Sequence, residues 1–189
     1  MKIYYADMRG FMDRQGKIKG RSASRESDFA YSLLSYGLGA AYGEMPSVST
    51  DGSGRPCFPD RPELSFSISH SRGRVLCAMS DRVRLGADIE CRERKVPLEL
   101  VRRLTTKKER EDFEFLELWV LRESFYKLVG KGDLRTMVFS KAMGEIVSPQ
   151  PSVKCRIYEH QGIIAAVCSY GDCFPEKLIQ VPPEYLILP

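Results

Sequence analysis

Polar and apolar positions alternate cleanly between Leu64 and Ser69. Leu64, Phe66 and Ile68 share one face, and Ser65, Ser67 and Ser69 the other. A period of two predicts a half-buried strand. Ser71-Arg72-Gly73 reads as the turn into a partner strand over Arg74–Met79. Lys2–Ala6 and Val83–Ile89 predict two further strands, and Val153–Tyr158 with Ile163–Ser169 a hairpin around His160-Gln161-Gly162. Elsewhere the period is helical. Phe29, Ala30, Leu33, Leu34, Leu38 and Ala41 place a helix from Ser24 to about Gly43. Thr105 or Thr106 caps a charged helical stretch that runs into Leu116–Val129, which Gly130 and Gly132 end. Gly10–Gly20 and the proline- and glycine-rich Gly43–Pro62 read as loops, and the tail from Pro175 adds at most one short strand.

Strand, helix and paired strands thus occur in that order twice, with the joint near Leu85. The class is α+β, because helices and hairpins are segregated rather than alternating. Two α+β halves are expected, residues 1–85 and 86–189. With 43% hydrophobic residues, the 189-residue chain can bury a core. The longest apolar run, Ile163–Cys168, is too short to cross a bilayer, and the first residues lack the pattern of a signal peptide. A cytoplasmic protein without a membrane partner is expected. The six cysteines form no C-x-x-C pair and have only His70 and His160 as companions, which argues against zinc and for free thiols.

A net charge of +4 does not by itself call for nucleic acid, and none is expected as a partner. Its distribution says more. Arg14, Lys17, Lys19, Arg21 and Arg25 form one basic set, and Arg102, Arg103, Lys107, Lys108 and Arg110 another. Such clusters draw in anionic ligands or acidic proteins, although clustered Lys and Arg are also common on solvated surfaces.

Three constellations carry chemistry. In Gly86-Ala87-Asp88-Ile89-Glu90 a strand sets Asp88 and Glu90 on one face and turns Ile89 inward. Adjacent carboxylates repel unless a cation or proton is shared, and a hard divalent cation would use them. The plainer reading is an acidic strand end neutralised by Arg92 and Arg94. In Trp119 to Lys127, helical spacing lines up Trp119, Glu123 and Lys127, so a buried apolar anchor, a carboxylate and an amine present to one site. The plainer reading there is a Glu-to-Lys surface pair. Ser69-His70-Ser71, followed by Arg72 and Gly73, offers hydroxyls, an imidazole and turn amides to a phosphate. A lone histidine is more often structural.

Taken together, these segments resemble the surfactin-synthetase-activating type of 4′-phosphopantetheinyl transferase. That family carries G-x-D-x-E, W-x-x-K-E-(A/S)-x-x-K, and S-H-S preceded by G-(K/R)-P-x-x-P. Here they read Gly86 to Glu90, Trp119 to Lys127, Ser69 to Ser71, and Gly54-Arg55-Pro56-Cys57-Phe58-Pro59. Arg122 stands where the family has lysine, Val120 occupies a position usually small or hydroxylated, and the segment between Thr105 and Trp119 is short.

The resemblance implies two similar α+β halves with the active site in the cleft between them. It implies coenzyme A as substrate, magnesium (or manganese) as cofactor, an apo acyl or peptidyl carrier protein as partner, and a monomer. Asp88, Glu90 and Glu123 would hold the metal. Ser69, His70, Arg122 and Lys127 would meet phosphate. Arg55, with Arg21 or Arg25, would meet the 3′-phosphoadenosine end. Glu123 is the choice of base, directly or through a water, with Lys127 beside it. Two other classes stay open: a module that binds coenzyme A or carrier without chemistry, and a metal-dependent phosphohydrolase.

Overall fold

The computed structural model describes residues 1–10, 22–171 and 174–186. Its elements, in chain order, begin with β1 (Lys2–Asp7), α1 (Ser22–Ala41) and two short strands, β2 (Ser49–Thr50) and β3 (Pro56–Cys57). β4 (Ser65–Ser71), β5 (Arg74–Ser80) and β6 (Leu85–Cys91) follow, then α2 (Leu98–Leu104), α3 (Lys107–Asp112) and α4 (Phe115–Val129). A small hairpin, β7 (Ser140–Ala142) and β8 (Glu145–Val147), precedes β9 (Lys154–His160), β10 (Ile163–Ser169) and β11 (Ile179–Gln180).

Two sheets carry the architecture, in the orders β11-β1-β5-β4 and β6-β10-β9. The period-two strands sort their residues between layers. Tyr4, Ala6, Val75, Cys77 and Met79 pack on the apolar stripe of α1, where Phe29, Leu33, Leu34 and Leu38 are buried. The opposite face of that sheet, Ile3, Tyr5, Leu76 and Ala78, packs on Leu85, Ala87, Ile89, Ala165 and Val167 of the second sheet. The second sheet's outer face, with Ile164, Ala166 and Cys168, packs under Leu118, Leu121, Phe125 and Leu128 of α4. Helix, sheet, sheet and helix therefore stack in that order. The chain is a mixed α and β fold.

Three hairpins turn on the same chemistry. Arg72-Gly73, Met143-Gly144 and Gln161-Gly162 all have positive φ at both positions. That is the two-residue turn whose twist matches the strands it joins, and glycine at the second place carries no Cβ to resist it. α4 ends on Gly130 in the left-handed conformation, its N–H donating 2.7 Å to the Tyr126 carbonyl. α3 starts with a capping box between Thr106 and Glu109.

One expectation changes. The serine face of β4 is not the solvent side of a half-buried strand. Ser67 and Ser69 are buried, because this face lies against β6. The Leu85 N–H donates to Ser65 Oγ (3.2 Å) and the Ala87 N–H to Ser67 Oγ (2.9 Å). Ser69 Oγ donates to Asp88 Oδ1 and Ser71 Oγ to Glu90 Oε2, both at 2.7 Å. Hydroxyls thus replace the backbone ladder where the two edge strands meet, and satisfy buried groups that would otherwise cost about 1–3 kcal/mol each.

Candidate active site

A cavity of about 430 Å³ opens where β4, β6, α1 and α4 approach one another, and its lining includes Ser69, His70, Asp88, Glu90, Glu123 and Lys127. Motif residues from three separate stretches of chain thus meet at one opening. Its size lies within the range of small-molecule sites.

Asp88 and Glu90 project from the same face of β6, as their spacing requires, and both are buried. Asp88 Oδ1 accepts from Ser69 Oγ and from Lys127 Nζ, each at 2.7 Å. Lys127 Nζ also reaches the Ile68 carbonyl at 3.4 Å, tying α4 to both edge strands. Glu90 is paired with Arg94 through Oε1. Arg92 is engaged elsewhere, on Glu114 (2.5 Å) and Glu159 (2.6 Å), so only Arg94 of the two neutralises the strand end.

Glu123, one turn before Lys127 on α4, is the group under stress. Burial first, then the negative charge of Asp88, push its carboxyl above the ordinary carboxylate value. Lys127 opposes the shift, and Glu90 adds to it. Trp119 is a partly exposed wall of the cavity rather than a buried anchor. It stacks on Phe115 with ring centres 6.0 Å apart, and the Arg94 guanidinium lies 5.9 Å from its ring centre.

His70 is held from α1. Its Nδ1 lies 3.0 Å from Glu26 Oε2, and Glu26 Oε1 accepts from the Gly73 N–H at 2.7 Å. A carboxylate on one ring nitrogen fixes the orientation of the imidazole. Glu26 and Arg94 are site residues that sequence reasoning missed as such. Glu26 had no usable signal, being one polar helix position among many.

Arg55 borders an adjoining cavity with Gly54, Pro56, Ile68, Tyr126 and Lys127. Its Nη2 donates to the Leu85 carbonyl (2.7 Å), Ser65 Oγ (3.0 Å) and the Phe66 carbonyl (3.3 Å). Arg21 and the side chain of Arg25 lie outside the described residues.

Arg122 is not brought to the cavity. It faces the core, its Nη2 2.7 Å from Glu109 Oε1 and its Nε 2.9 Å from the Met137 carbonyl, with Nη1 on the Leu104 carbonyl at 2.5 Å. Three acceptors in three directions need a planar fork, and an ammonium cannot reproduce them. Arg122→Lys, which restores the family's residue, is therefore expected to cost about 2 kcal/mol or more, since unsatisfied buried groups remain. Urea unfolding measures this. A variant as stable as the parent contradicts the assignment.

The donor chemistry at the cavity fits a hard divalent cation. Asp88, Glu90 and Glu123 supply oxygen only, and the push on Glu123 from its neighbours is a repulsion that a cation relieves. As placed, Lys127 and Arg94 neutralise Asp88 and Glu90. Among the described residues no three His, Cys, Asp or Glu side chains stand grouped around one point.

No protein-family model matches the chain. Curated proteins do. The 4′-phosphopantetheinyl transferase Sfp of Bacillus subtilis is 34% identical, over 74% of this chain and 70% of its own length. The 4′-phosphopantetheinyl transferase ffp of Bacillus subtilis is 32% identical, over 71% of this chain and 67% of its own. The 4′-phosphopantetheinyl transferase psf-1 of Bacillus pumilus is 33% identical over 47% and 42%. No helix among the described residues is long and apolar enough to cross a membrane.

Proposed function

The chain belongs to the Sfp type of 4′-phosphopantetheinyl transferase, and from that premise we propose that it moves the 4′-phosphopantetheine moiety of coenzyme A onto a serine of an apo acyl or peptidyl carrier protein, releasing 3′,5′-ADP with magnesium. The observation that carries this reading is the meeting of Asp88, Glu90, Glu123, Lys127 and His70 at one cavity.

The chemistry asks for one proton acceptor and several cations. Glu123, held above the ordinary carboxylate value, is a stronger base once ionised, and it takes the proton of the carrier's serine. The serine oxygen attacks the β-phosphorus, and the bond to 3′,5′-ADP breaks. Lys127 and His70 stand against phosphate oxygens, Lys127 neutralising the growing charge and the imidazole donating a hydrogen bond. Ser69 fixes Asp88 and lines the same wall. Magnesium, or manganese with the same preference for oxygen, supplies further electrostatic stabilisation when held by Asp88, Glu90 and Glu123.

The adenosine end of coenzyme A is assigned to the adjoining cavity bordered by Arg55, with Arg21 or Arg25 reaching its 3′-phosphate. The two halves, residues 1–85 and 86–189, with the site in the cleft between them, are part of the same proposal. Two sheets, each covered by one long helix and joined through the β4 serines, support it. So is a cytoplasmic monomer. The exposed Arg102, Arg103 and Lys107 before α4 suit an acidic carrier.

Chromatography of the nucleotide product tests the reaction class. Release of 3′,5′-ADP is expected only when coenzyme A, magnesium and an apo-carrier are all present. Release without carrier would indicate a phosphohydrolase, and carrier binding without release a binding module.

His70→Ala is expected to weaken coenzyme A binding at least tenfold, with a smaller loss in rate. A charge-assisted bond to phosphate contributes about 1.5–3 kcal/mol. Calorimetry showing unchanged affinity would make the Glu26–His70 pair purely structural.

A further inference from the structure

The β9–β10 hairpin carries two thiols that the proposed chemistry does not use. Cys155 and Cys168 stand directly opposite each other in the antiparallel ladder, with their sulfurs 2.9 Å apart. Counting outward from the Gln161-Gly162 turn, His160 and Ile163 form the hydrogen-bonded closing pair. Alternate pairs beyond it, ending at Cys155 and Cys168, are of the non-hydrogen-bonded kind. Such pairs bring their Cα atoms to about 4.5 Å, within the ~4.4–6.8 Å that a disulfide spans. Both residues are free thiols.

The two sulfurs differ in access. Cys168 is fully buried under α4, its Sγ 3.1 Å from Ser124 Oγ. Cys155 is only partly buried and lines an open groove with Lys141, Ile146, Lys154, Arg156 and Phe174. A small oxidant therefore meets Cys155 first and finds Cys168 behind it.

We propose that Cys155 and Cys168 are an oxidative modification site, at which hydrogen peroxide converts the pair into a cross-strand disulfide. The Cys155 sulfur attacks one peroxide oxygen and the O–O bond breaks. Water leaves with the thiol proton, and Cys155 becomes a sulfenic acid. The Cys168 sulfur then attacks the oxidised sulfur and the S–O bond breaks. The hydroxyl leaves as a second water, taking the Cys168 proton. The two thiols give up two electrons and the peroxide accepts them.

The geometry asks little of the backbone. The sulfurs must close from 2.9 Å to about 2.05 Å. The hydrogen bond with Cys168, and then burial, push the Cys155 thiol up, so it reacts slowly. Among the described residues, none lining the carboxylate cavity comes from β9 or β10. The modification therefore acts on stability and leaves transfer within about twofold. A new cross-link that closes a short loop raises the melting temperature by a few degrees.

The test treats the full chain with excess hydrogen peroxide, alkylates the remaining thiols, and maps the digest by mass spectrometry before and after reduction. The expected product links the Cys155 and Cys168 peptides with loss of two hydrogens, and reduction reverses it. The rise in melting temperature is expected in the parent protein and not in Cys155→Ser. A link through any other cysteine would overturn the proposal. So would Cys155 oxidised without a link, no reaction at all, or a thermal shift that persists in Cys155→Ser.

Discussion

Glu123→Gln is expected to lower transfer by about 10³-fold, in line with loss of a general base, while raising the melting temperature at neutral pH. The two effects have one origin. Burial and the charges of Asp88 and Glu90 hold the Glu123 carboxyl above its ordinary value. In the folded chain the proton is bound more tightly than in the unfolded one. Glu123 therefore favours the fold below the unfolded value, and that contribution is lost as pH rises through the folded value. Glutamine keeps the shape and has nothing to ionise. The stability gain should appear at pH 7 and vanish toward pH 3, and thermal scans across that range measure it. A variant that is inactive and also less stable at pH 7 would show that Glu123 is a structural partner rather than a strained reactive group.

Gly86→Ala is the second large effect, and it comes from packing. A Cβ at position 86 would sit 2.5 Å from the Leu128 backbone nitrogen and 3.0 Å from the Lys127 carbonyl carbon, and closer still to the Ser124 carbonyl oxygen. All three are backbone atoms of α4, so no side chain can rotate away. The helix must lift from β6. Overpacking of this kind costs about 1–3 kcal/mol and occasionally more, and here the upper end is expected. β6 carries Asp88 and Glu90 while α4 carries Glu123 and Lys127, so the same displacement opens the site. A misplacement of about 1 Å cuts the rate on the order of 100-fold even where the variant remains folded. Near-normal stability and turnover would mean that the contact between Gly86 and α4 does not set the distance between the carboxylates.

Gly86 also shows what a sequence conceals. Its place beside two carboxylates reads as part of a chemical motif, yet its role is to let a helix backbone approach a strand. The elements themselves were legible. The alternation in β4, the shared face of Asp88 and Glu90 on β6 and the stripe Trp119, Glu123 and Lys127 on α4 belong to local geometry, and the structure has them. The Met143-Gly144 turn escaped notice because its strands have only three residues each, although it repeats the pattern of Arg72-Gly73 and Gln161-Gly162.

Groups whose partners lie far along the chain were not legible. The β4 serines read as a polar face because nothing local says that β6 lies beside them. Arg122 read as a phosphate ligand, whereas its buried partner Glu109 is thirteen residues away on another helix. His70 read alone, since Glu26 approaches it from α1. In each case a polar side chain has a tertiary partner that nothing in its own stretch of sequence announces.

The most direct measurement is the intact mass of the carrier. A panel of apo acyl and peptidyl carrier proteins is incubated with coenzyme A, magnesium and either the parent chain or Asp88→Ala, and the carriers are weighed by mass spectrometry. The parent chain is predicted to add the mass of one phosphopantetheine to the serine of at least one carrier, and folded Asp88→Ala to add none. Equal modification by both proteins, or unmodified carriers throughout with a folded parent chain, would contradict the account.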